Sequence, residues 1–482
     1  MSKFYVTTSI PYSNAPPHIG HALEFVQADV LARYWRSKNK KVFFLTGADE
    51  HGIKIVRSAQ KANETPSVFV NENTRKFKKL IQLLKISNDD FIRTSDKKRH
   101  WPGAQKLWSR LAETGDIYKK NYKGLYCVGH EAFVTEKDLK DGICAIHNSK
   151  PEIVEEENYF FRLSKYSKKI ESAIRKNQLK IIPVSRKNEI LALLSEGLED
   201  VSFSRPSKDL SWGISVPGDK THTMYVWGDA LSNYVTAIGY AADSEKFEYW
   251  WPADVHIIGK DILRFHAAIW PGMLLSAGLA LPKEIFVHGF ITSSGEKISK
   301  TIGNVVDPFE IIEKYGADAL RYYLLREIPS GEDGDFTYEK FEERYSADLA
   351  KGIGNLVARV LTLARKSDIK KNKNFEIEIQ SAKKNIDKSI SEFKFNDALA
   401  TIWRLVASGD KYIDIKKPWT LDSGSKEFKE VIGSLLFLIS EISGLLSPFL
   451  PETADKIIKS IKSGKSITLF PRLVRRDALG IK

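Results

Sequence analysis

The segment FYVTTSIPYSNAPPHIGH, residues 4–21, decides the fold class. Its first seven residues are mostly β-branched or aromatic and predict a strand, which the prolines at positions 11, 16 and 17 close off. A helical pattern follows from Ile19 to Trp35, and the apolar run Lys41–Leu45 predicts a second strand. Strand, turn, helix and strand in this order begin a parallel α/β sheet.

The same pattern returns near residue 255, where predicted strands at Val255–Ile258 and Glu284–Val287 flank a helix at Leu263–Ala277. The short segments between the two halves hold both cysteines and predict an insertion rather than a continuation of the sheet. Asp307 and Pro308 are an N-cap and a first helical residue, and the chain beyond them is helical. We therefore expect two halves of a sheet domain, an insertion, a connecting region and a helical domain at residues 1–118 and 223–290, 119–222, 291–345 and 346–482.

The chain carries a formal net charge of +13, with 74 Lys and Arg against 61 Asp and Glu. This surplus favours a polyanionic partner such as a nucleic acid, although lysines that only decorate solvated helices would give the same balance. The most apolar run, Val431–Leu450, is interrupted by serines, glycines and Glu441 and fits a buried bundle helix better than a membrane span. Two cysteines and no secretory leader pattern predict a cytoplasmic protein without membrane attachment.

The motif His18-Ile19-Gly20-His21 lies between the first predicted strand and the first helix. Ligands of parallel α/β sheets bind beyond the carboxyl ends of the strands, where helix N-termini expose their N–H groups. Two histidines three residues apart share one helix face, so both can donate to phosphate oxygens. Gly20 leaves room for a flat base near the backbone. Taken alone, such histidines are more often helix caps or residues at the edge of a core.

A second motif, Lys297-Ile298-Ser299-Lys300-Thr301, follows a predicted strand and a Ser-Ser-Gly turn. Two lysines three residues apart in a loop can close over a triphosphate and stabilise its leaving group. Alone, a solvated lysine loop would be the simpler interpretation. Together and in this order, the two motifs resemble the HIGH and KMSKS signatures of the class I aminoacyl-tRNA synthetases.

This resemblance implies a class I Rossmann-type parallel-sheet catalytic domain, split by a connective insertion and followed by an α-helical bundle anticodon-binding domain. It implies activation of an amino acid by ATP with Mg²⁺, release of pyrophosphate, and transfer to the 3′ end of a tRNA. The catalytic residues would be His18, His21, Lys297 and Lys300. The ATP site would comprise His18, Gly20, His21, Gly259, Asp261, Lys297, Ser299 and Lys300.

Four segments, at residues 7–12, 46–52, 226–234 and 259–266, are similar to those of the methionyl-tRNA synthetases. The resemblance implies methionine as the substrate and the initiator and elongator methionine tRNAs as partners. Asp49 would bind the ammonium, although it could instead cap the following helix. The methionine side chain would lie among residues that could also be plain core: Ile10, Tyr12, Trp227, Leu231, Tyr234, Ile262 and His266.

The two cysteines belong to the pairs Cys127-x2-His130 and Cys144-x2-His147, whose spacing suits one tetrahedral zinc ion. All four positions would be filled by protein, so any zinc would be structural rather than catalytic. Family members with a single knuckle often carry cysteine where this chain has His130, and some have lost the metal. An empty, hydrogen-bonded knuckle is the alternative.

In the helical domain, Asn355 and Arg359 lie one turn apart on a predicted helix, and Trp419 follows Pro418 near the end of another. These residues match the family's anticodon readers, which implies recognition of the CAU anticodon. Trp419 would stack on a base and the other two would bond to base edges. Packing after a helix stop is the alternative for Trp419.

There are three alternatives, two among the other class I enzymes and one in a different class of protein. The class I enzymes for isoleucine, valine and leucine carry a far larger editing insertion than the segment between His21 and Lys297 allows. The cysteine enzyme needs a metal near the HIGH motif, where this chain has no cysteine. A catalytically dead RNA-binding paralogue is disfavoured by the intact motifs and Asp49. The absence of a further module after the helical domain predicts a monomer.

Overall fold

The computed structural model describes residues 2–129, 131–134, 136, 139–144, 149–297, 306–365 and 369–473. Within the described residues the strands are β1 (Lys3–Thr8), β2 (Lys41–Ala48), β3 (Asp90–Arg93), β4 (Ile117–Cys127), β5 (Ala132–Val134), β6 (Leu139–Lys140), β7 (Ile143–Cys144), β8 (Glu152–Phe161), β9 (Lys180–Ile182), β10 (Val201–Ser202), β11 (Ser204–Pro206), β12 (Ser215–Val216), β13 (Asp219–Met224), β14 (Val255–Gly259), β15 (Glu284–His288), β16 (Ile291–Ser293), β17 (Glu296–Lys297) and β18 (Gly334–Phe336).

The α-helices of the same described ranges are α1 (Ile19–Ser37), α2 (Ile53–Lys61), α3 (Pro66–Leu83), α4 (Trp101–Glu113), α5 (Ser167–Arg175), α6 (Val184–Glu196), α7 (Val226–Leu231), α8 (Asn233–Thr236), α9 (Ser244–Trp250), α10 (Trp270–Ala277), α11 (Pro308–Tyr315), α12 (Ala317–Arg326), α13 (Tyr338–Arg344), α14 (Asn355–Ala364), α15 (Glu376–Ser391), α16 (Phe395–Lys416), α17 (Lys426–Leu446) and α18 (Pro451–Ser463). Two π-helical turns are at Phe265–Ile269 and Tyr345–Gly354, and short 3₁₀ turns are at Leu163–Tyr166, Lys260–Ile262 and Pro418–Thr420.

The chain divides into two compact units, the first made of Met1–Pro17, Trp35–Lys79 and Ser87–His288. Its centre is a six-stranded sheet in the order β3-β2-β1-β14-β15-β9, in which every neighbouring pair is parallel. Five of the six residues of β1 are buried, as expected for strands covered on both faces. The order reverses between β1 and β14, and ligands of such sheets bind beyond the carboxyl ends of the strands at that point. The parallel α/β sheet predicted from the sequence is confirmed.

The segment 119–222 is only partly an insertion. Strand β9, at Lys180–Ile182, pairs in parallel with β15 and forms the edge of the central sheet, so the chain returns to the sheet inside this segment. A three-residue strand carries too little periodicity to be recognised in a sequence. The inserted layer is instead a second, antiparallel sheet, in which β4 and β8 pair along ten residues from Ile117–Phe161 to Tyr126–Glu152.

A small hairpin extends from this layer and carries one of the two cysteines. Strands β6 and β7 are joined by Asp141 and Gly142, both with positive φ, as a two-residue hairpin turn requires. Cys144 ends β7, while Cys127 ends β4. Both cysteines are buried and share a small apolar cluster with Val134.

The second unit comprises His18–Tyr34, Leu80–Ile86 and Gly289–Lys482 and is mainly helical. Asp307 caps α11 by accepting a hydrogen bond from the Phe309 N–H at 2.8 Å, as predicted. The apolar run of the sequence forms the buried helix α17. In the described ranges, no helix combines the length and apolarity that crossing a bilayer requires.

A buried ion pair holds several segments of this second unit together. Arg321 and Asp29 are fully buried and lie 2.7 Å apart. The guanidinium also donates to the carbonyls of Phe449, Leu84 and Pro448. Because every polar atom of Arg321 is partnered, the cost of burying its charge is offset.

Candidate active site

The chain that leaves the central strand β1 runs beside the chain that leaves β2. The Asp49 N–H donates to the Pro11 carbonyl at 2.9 Å, and the Ser13 N–H donates to the Asp49 carbonyl at 2.9 Å. Tyr12 and Asp49 are thereby paired in register. Two residues that the sequence separates by a helix and a strand therefore meet beyond the carboxyl edge of the sheet.

Asp49 is a buried carboxylate with weak partners. Its Oδ1 accepts from the His51 N–H and from the Thr94 hydroxyl, each at 3.2 Å. Burial raises the pKa of Asp49 well above its usual range, and the neighbouring carboxylates of Asp229 and Glu131 raise it further. A buried anion in this situation gains most from a cationic ligand, because a positive charge relieves both effects.

Tyr12 connects this carboxylate to a group of aromatic side chains. Trp227 stacks on Phe265 with ring centroids 3.8 Å apart, and Tyr12 meets Trp227 edge-on at 6.3 Å. His266 lies edge-on to Trp227 at 6.2 Å. The residues predicted to hold a methionine side chain all belong to, or pack against, one apolar cluster: Ile10, Tyr12, Trp227, Leu231, Tyr234, Ile262 and His266.

The hydrogen bonds of His266 fix its tautomer when the ring is neutral. The Ile262 carbonyl at 3.0 Å can only accept, so Nδ1 carries the hydrogen. Nε2 then accepts from the Tyr234 hydroxyl at 2.8 Å. The phenol hydrogen of Tyr234 is therefore directed at His266, and the rings of both residues are held in place.

The two histidines of the HIGH motif lie together at the start of α1, with ring centroids 3.9 Å apart and ring planes tilted by 38°. The His18 N–H donates to His21 Nδ1 and the Gly20 N–H donates to His18 Nδ1, both at 3.1 Å. Because each Nδ1 accepts, each neutral ring carries its hydrogen on Nε2 and can donate it to an anion. A Cβ on Gly20 would lie 2.9 Å from His18 Cε1, so this glycine makes room for the histidine ring itself.

The remaining predicted nucleotide-binding residues divide into two groups. Gly259 ends the central strand β14, and a Cβ there would lie 2.8 Å from the Asp261 carboxylate. The lysine motif begins at Lys297, which ends β17. The Lys297 side chain, Ser299 and Lys300 lie outside the described residues, as do His130 and His147 of the knuckle.

Sequence reasoning missed two side chains of this region. Phe265 forms half of the aromatic stack, and its position beside His266 was the only local signal. Glu131 is buried, has a positive φ of 52°, and accepts the Lys54 N–H at 3.1 Å. Burial raises the pKa of Glu131, and the charge of Lys54 partly offsets this. The Glu131 carboxylate also lies close to the Tyr12 hydroxyl, whose pKa is raised by burial and by this carboxylate.

The predicted RNA-reading residues gather on the second unit. Trp419 is 52% exposed, and the Arg359 guanidinium lies 5.7 Å from the centre of its ring. Arg359 also bonds to Asp414 at 2.8 Å and faces Asp410 at 3.7 Å. Burial raises the pKa of Asp410 to about 6, with Arg359 lowering it and Asp414 raising it. Asn355 begins the same helix, α14, one turn before Arg359.

Comparisons with known proteins agree with this geometry. Residues 4–138 and 134–361 match the family described as tRNA synthetases class I (M), and residues 372–477 match the anticodon-binding domain of tRNA ligase. A methionine–tRNA ligase of Brucella suis is 42% identical over 474 residues, covering 95% of this chain and 91% of that protein. A methionine–tRNA ligase of Bacillus subtilis is 40% identical, covering 98% and 76%.

Solved structures give the same result. A Mycobacterium tuberculosis methionyl-tRNA synthetase in complex with methionyl-adenylate superposes with a TM-score of 0.90 at 38% identity. The match covers 95% of this chain and 93% of that one. On the sequence, the sheet topology and these matches, the chain belongs to the methionine family of the class I tRNA synthetases.

Proposed function

We propose that this chain is a methionine–tRNA ligase, which uses ATP to join methionine to the 3′-terminal adenosine of its initiator and elongator tRNAs. The observation that carries the proposal is the buried Asp49 carboxylate, which Tyr12 connects to the Trp227–Phe265 stack beyond the carboxyl edge of the central sheet. An ammonium would pair with Asp49, and aromatic rings would contact the thioether sulfur at about 0.3–1.5 kcal/mol per contact.

The reaction has two steps. An oxygen of the methionine carboxylate attacks the α-phosphorus of ATP, the bond to the β-phosphate breaks, and pyrophosphate leaves. The terminal ribose hydroxyl of the tRNA then attacks the acyl carbon, and AMP leaves. Neither step needs a protein nucleophile, so positioning and charge stabilisation are the contributions expected from the protein.

The residues of the two motifs have separate tasks in the first step. His18 and His21 would donate their Nε2 hydrogens to phosphate and ribose oxygens, which the tautomers set by their backbone hydrogen bonds support. Gly259 and Asp261 would contact the nucleoside beyond β14. Lys297 and Lys300, aided by Ser299, would stabilise the charge that develops on pyrophosphate. Mg²⁺ would arrive with the nucleotide, as it usually does.

The proposal predicts which amino acid the enzyme activates. We expect amino-acid-dependent exchange of pyrophosphate into ATP with methionine, and at least about 100-fold lower kcat/KM with isoleucine, leucine, valine or cysteine. The assay is run with each natural amino acid in turn and needs no tRNA. Exchange with another amino acid in preference to methionine would contradict the specificity, and no exchange with any would favour a non-catalytic paralogue.

We also propose a structural zinc ion between the two knuckles. The donor set fits, because Cys127 and Cys144 are buried together in one small cluster at the ends of β4 and β7. His130 and His147 would complete a tetrahedron. Among the described residues no group of three or more potential ligands gathers, so the support comes from the two cysteines and the sequence spacing.

Metal analysis tests the zinc proposal directly. We expect about one zinc per purified chain, and loss of the metal in Cys144→Ser with a lower melting temperature. The two thiols would otherwise be an inert buried pair. Less than about a tenth of an equivalent of zinc in the wild-type protein would support the empty, hydrogen-bonded knuckle instead.

In the helical domain, Asn355, Arg359 and Trp419 would read the CAU anticodon. The exposed Trp419 ring and the adjacent guanidinium support this role, since unpaired bases stack on aromatic rings and bond to arginine. A monomeric state and a cytoplasmic location remain predictions of the sequence, and gel filtration with light scattering would test the first.

A further inference from the structure

Asp229 is a buried carboxylate that the proposed reaction does not use, and it lies on the same short helix as Trp227 of the candidate methionine site. Asp229 bridges two imidazoles: its Oδ2 is 2.6 Å from His51 Nδ1 and its Oδ1 is 2.6 Å from His100 Nε2. All three side chains are at most 3% exposed. Because two short hydrogen bonds converge on one buried carboxylate, the three side chains form a specific cluster rather than an incidental contact.

The protons of this cluster can be assigned from its geometry. A carboxylate only accepts, so His51 Nδ1 and His100 Nε2 each carry a hydrogen. The other nitrogen of a neutral His100, Nδ1, then accepts from the Thr236 hydroxyl at 2.8 Å. Burial opposes the ionisation of Asp229, yet the two imidazoles lower its pKa below the usual value. Asp229 is therefore held as an anion, and each of its oxygens accepts one imidazole hydrogen.

The cluster connects the two sides of the candidate methionine site. His51 lies two residues after Asp49, and its N–H bonds to the Asp49 carboxylate at 3.2 Å. Asp229 lies on the short helix α7, between Trp227 and Leu231. Asp49, which would bind the ammonium, and Trp227, which would contact the side chain, come from distant parts of the sequence. Asp229 links the two through its hydrogen bond to His51.

A third element anchors the cluster from outside. His100 immediately precedes α4, and Gly103 on that helix packs closely enough against Thr236 that a Cβ would lie 2.5 Å from its methyl group. Gly228, next to Asp229, approaches Phe203 so that a Cβ would lie 2.7 Å from the ring. Close packing of Gly228 on α7 and of Thr236 on α8 leaves these two short helices little freedom to shift once Asp229 is bonded.

We infer that Asp229 is a positioning residue for methionine, which holds Asp49 and Trp227 at the separation that the substrate's ammonium and side chain require. It acts through His51 and His100 and does not itself touch the substrate. The inference rests on the proposed function, because it assigns the pocket to methionine. Loss of the Asp229 carboxylate would weaken methionine binding more than it would slow the reaction or weaken ATP binding.

The test is Asp229→Asn, which keeps the size of the side chain but leaves only one oxygen to accept from two imidazole N–H groups. We expect the KM for methionine in pyrophosphate exchange to rise by about tenfold or more, with the KM for ATP and kcat changing less than about twofold. Thr236→Val, which removes the hydrogen bond to His100 and a longer one to the Asn233 carbonyl, should shift the methionine KM in the same direction by a smaller factor.

Asp116→Asn is the matched control. Asp116 is also a buried carboxylate of the first unit, bonded by Lys165 and Ser276, each at 2.7 Å, and by Tyr166. Its replacement should lower the melting temperature without changing the methionine KM. If Asp229→Asn lowers only the melting temperature, as Asp116→Asn does, or lowers kcat at an unchanged methionine KM, the inference is wrong. Should Asp229→Asn not fold, an unchanged methionine KM in Thr236→Val overturns it.

The wild-type enzyme separates this inference from the function on which it rests. Methionine-dependent exchange by the wild type tests the proposed function alone. If the wild type shows no such exchange, the proposed function is wrong. If the wild type exchanges normally and folded Asp229→Asn keeps the methionine KM, only the positioning role is wrong.

Discussion

Asp49→Asn is expected to lower kcat/KM for methionine by about 30-fold to several thousand-fold while raising the melting temperature at pH 7.5. Removing one charge of a buried, hydrogen-bonded ion pair costs roughly 2–5 kcal/mol of binding, which sets the range of the first effect. The second effect follows from the free enzyme, in which Asp49 is buried near the carboxylates of Asp229 and Glu131. Pyrophosphate exchange and thermal unfolding measure the two effects.

The sign of the stability change follows from the pKa of Asp49. Burial raises this pKa well above the value of about 3.9 that the unfolded chain has. A carboxyl group with a raised pKa in the folded state destabilises that state progressively as the pH rises above the unfolded pKa. Asparagine has no such charge, so the variant gains stability at neutral pH. For the same reason the methionine KM of the wild type should rise as the pH falls and Asp49 takes up its proton.

Asp116→Asn is again the informative control, because the same substitution should have the opposite effect on stability. Burial opposes the ionisation of Asp116, but bonds from Lys165, Tyr166 and Ser276 lower its pKa below the usual value. That carboxylate therefore stabilises the fold at neutral pH, and its removal should lower the melting temperature. If Asp49→Asn also lowers the melting temperature and leaves the methionine KM within about twofold, Asp49 is a structural cap and not the ammonium ligand.

Local patterns were sufficient to predict the central strands of the sheet but not the return of the chain to it within residues 119–222. Strands β1, β2 and β14 are apolar runs bounded by prolines or glycines, and such runs mark buried parallel strands without tertiary information. Strand β9 has three residues, and only its pairing with β15 makes it part of the sheet. Its place could not be predicted because the stabilising partner lies a hundred residues away in the chain.

The candidate site was predictable where it follows a motif and not where it depends on packing. Asp49 and Trp227 lie in segments with a recognisable family pattern. The bond between His51 and Asp229 joins residues 178 positions apart, and no spacing rule connects them. Glu131 was equally hidden, because a single glutamate in a turn usually faces solvent. Buried polar side chains outside motifs can therefore be identified only from the contacts that they make in the folded structure.

Trp419→Ala is expected to raise the KM for methionine tRNA by about 5- to 150-fold and to leave the KM for methionine in pyrophosphate exchange unchanged. One base stacked on an aromatic ring contributes about 1–3 kcal/mol, and this sets the range. With 52% of its surface exposed, Trp419 has little packing to lose, so the melting temperature should change only slightly. Aminoacylation at varied tRNA concentration, beside tRNA-free exchange, separates the two KM values.

Two further variants decide whether stacking is the cause. Trp419→Phe keeps an aromatic face and should recover most of the tRNA affinity, whereas loss of a specific indole contact would leave it as poor as the alanine variant. Tyr249→Ala removes another exposed aromatic ring, 42% exposed on α9 of the first unit, and should leave the tRNA KM unchanged. Equal increases in the KM for tRNA and for methionine in Trp419→Ala would mean that the tryptophan supports the fold. Because Arg359 lies over the same ring, that outcome would also remove the case for Arg359 as a reader of the anticodon.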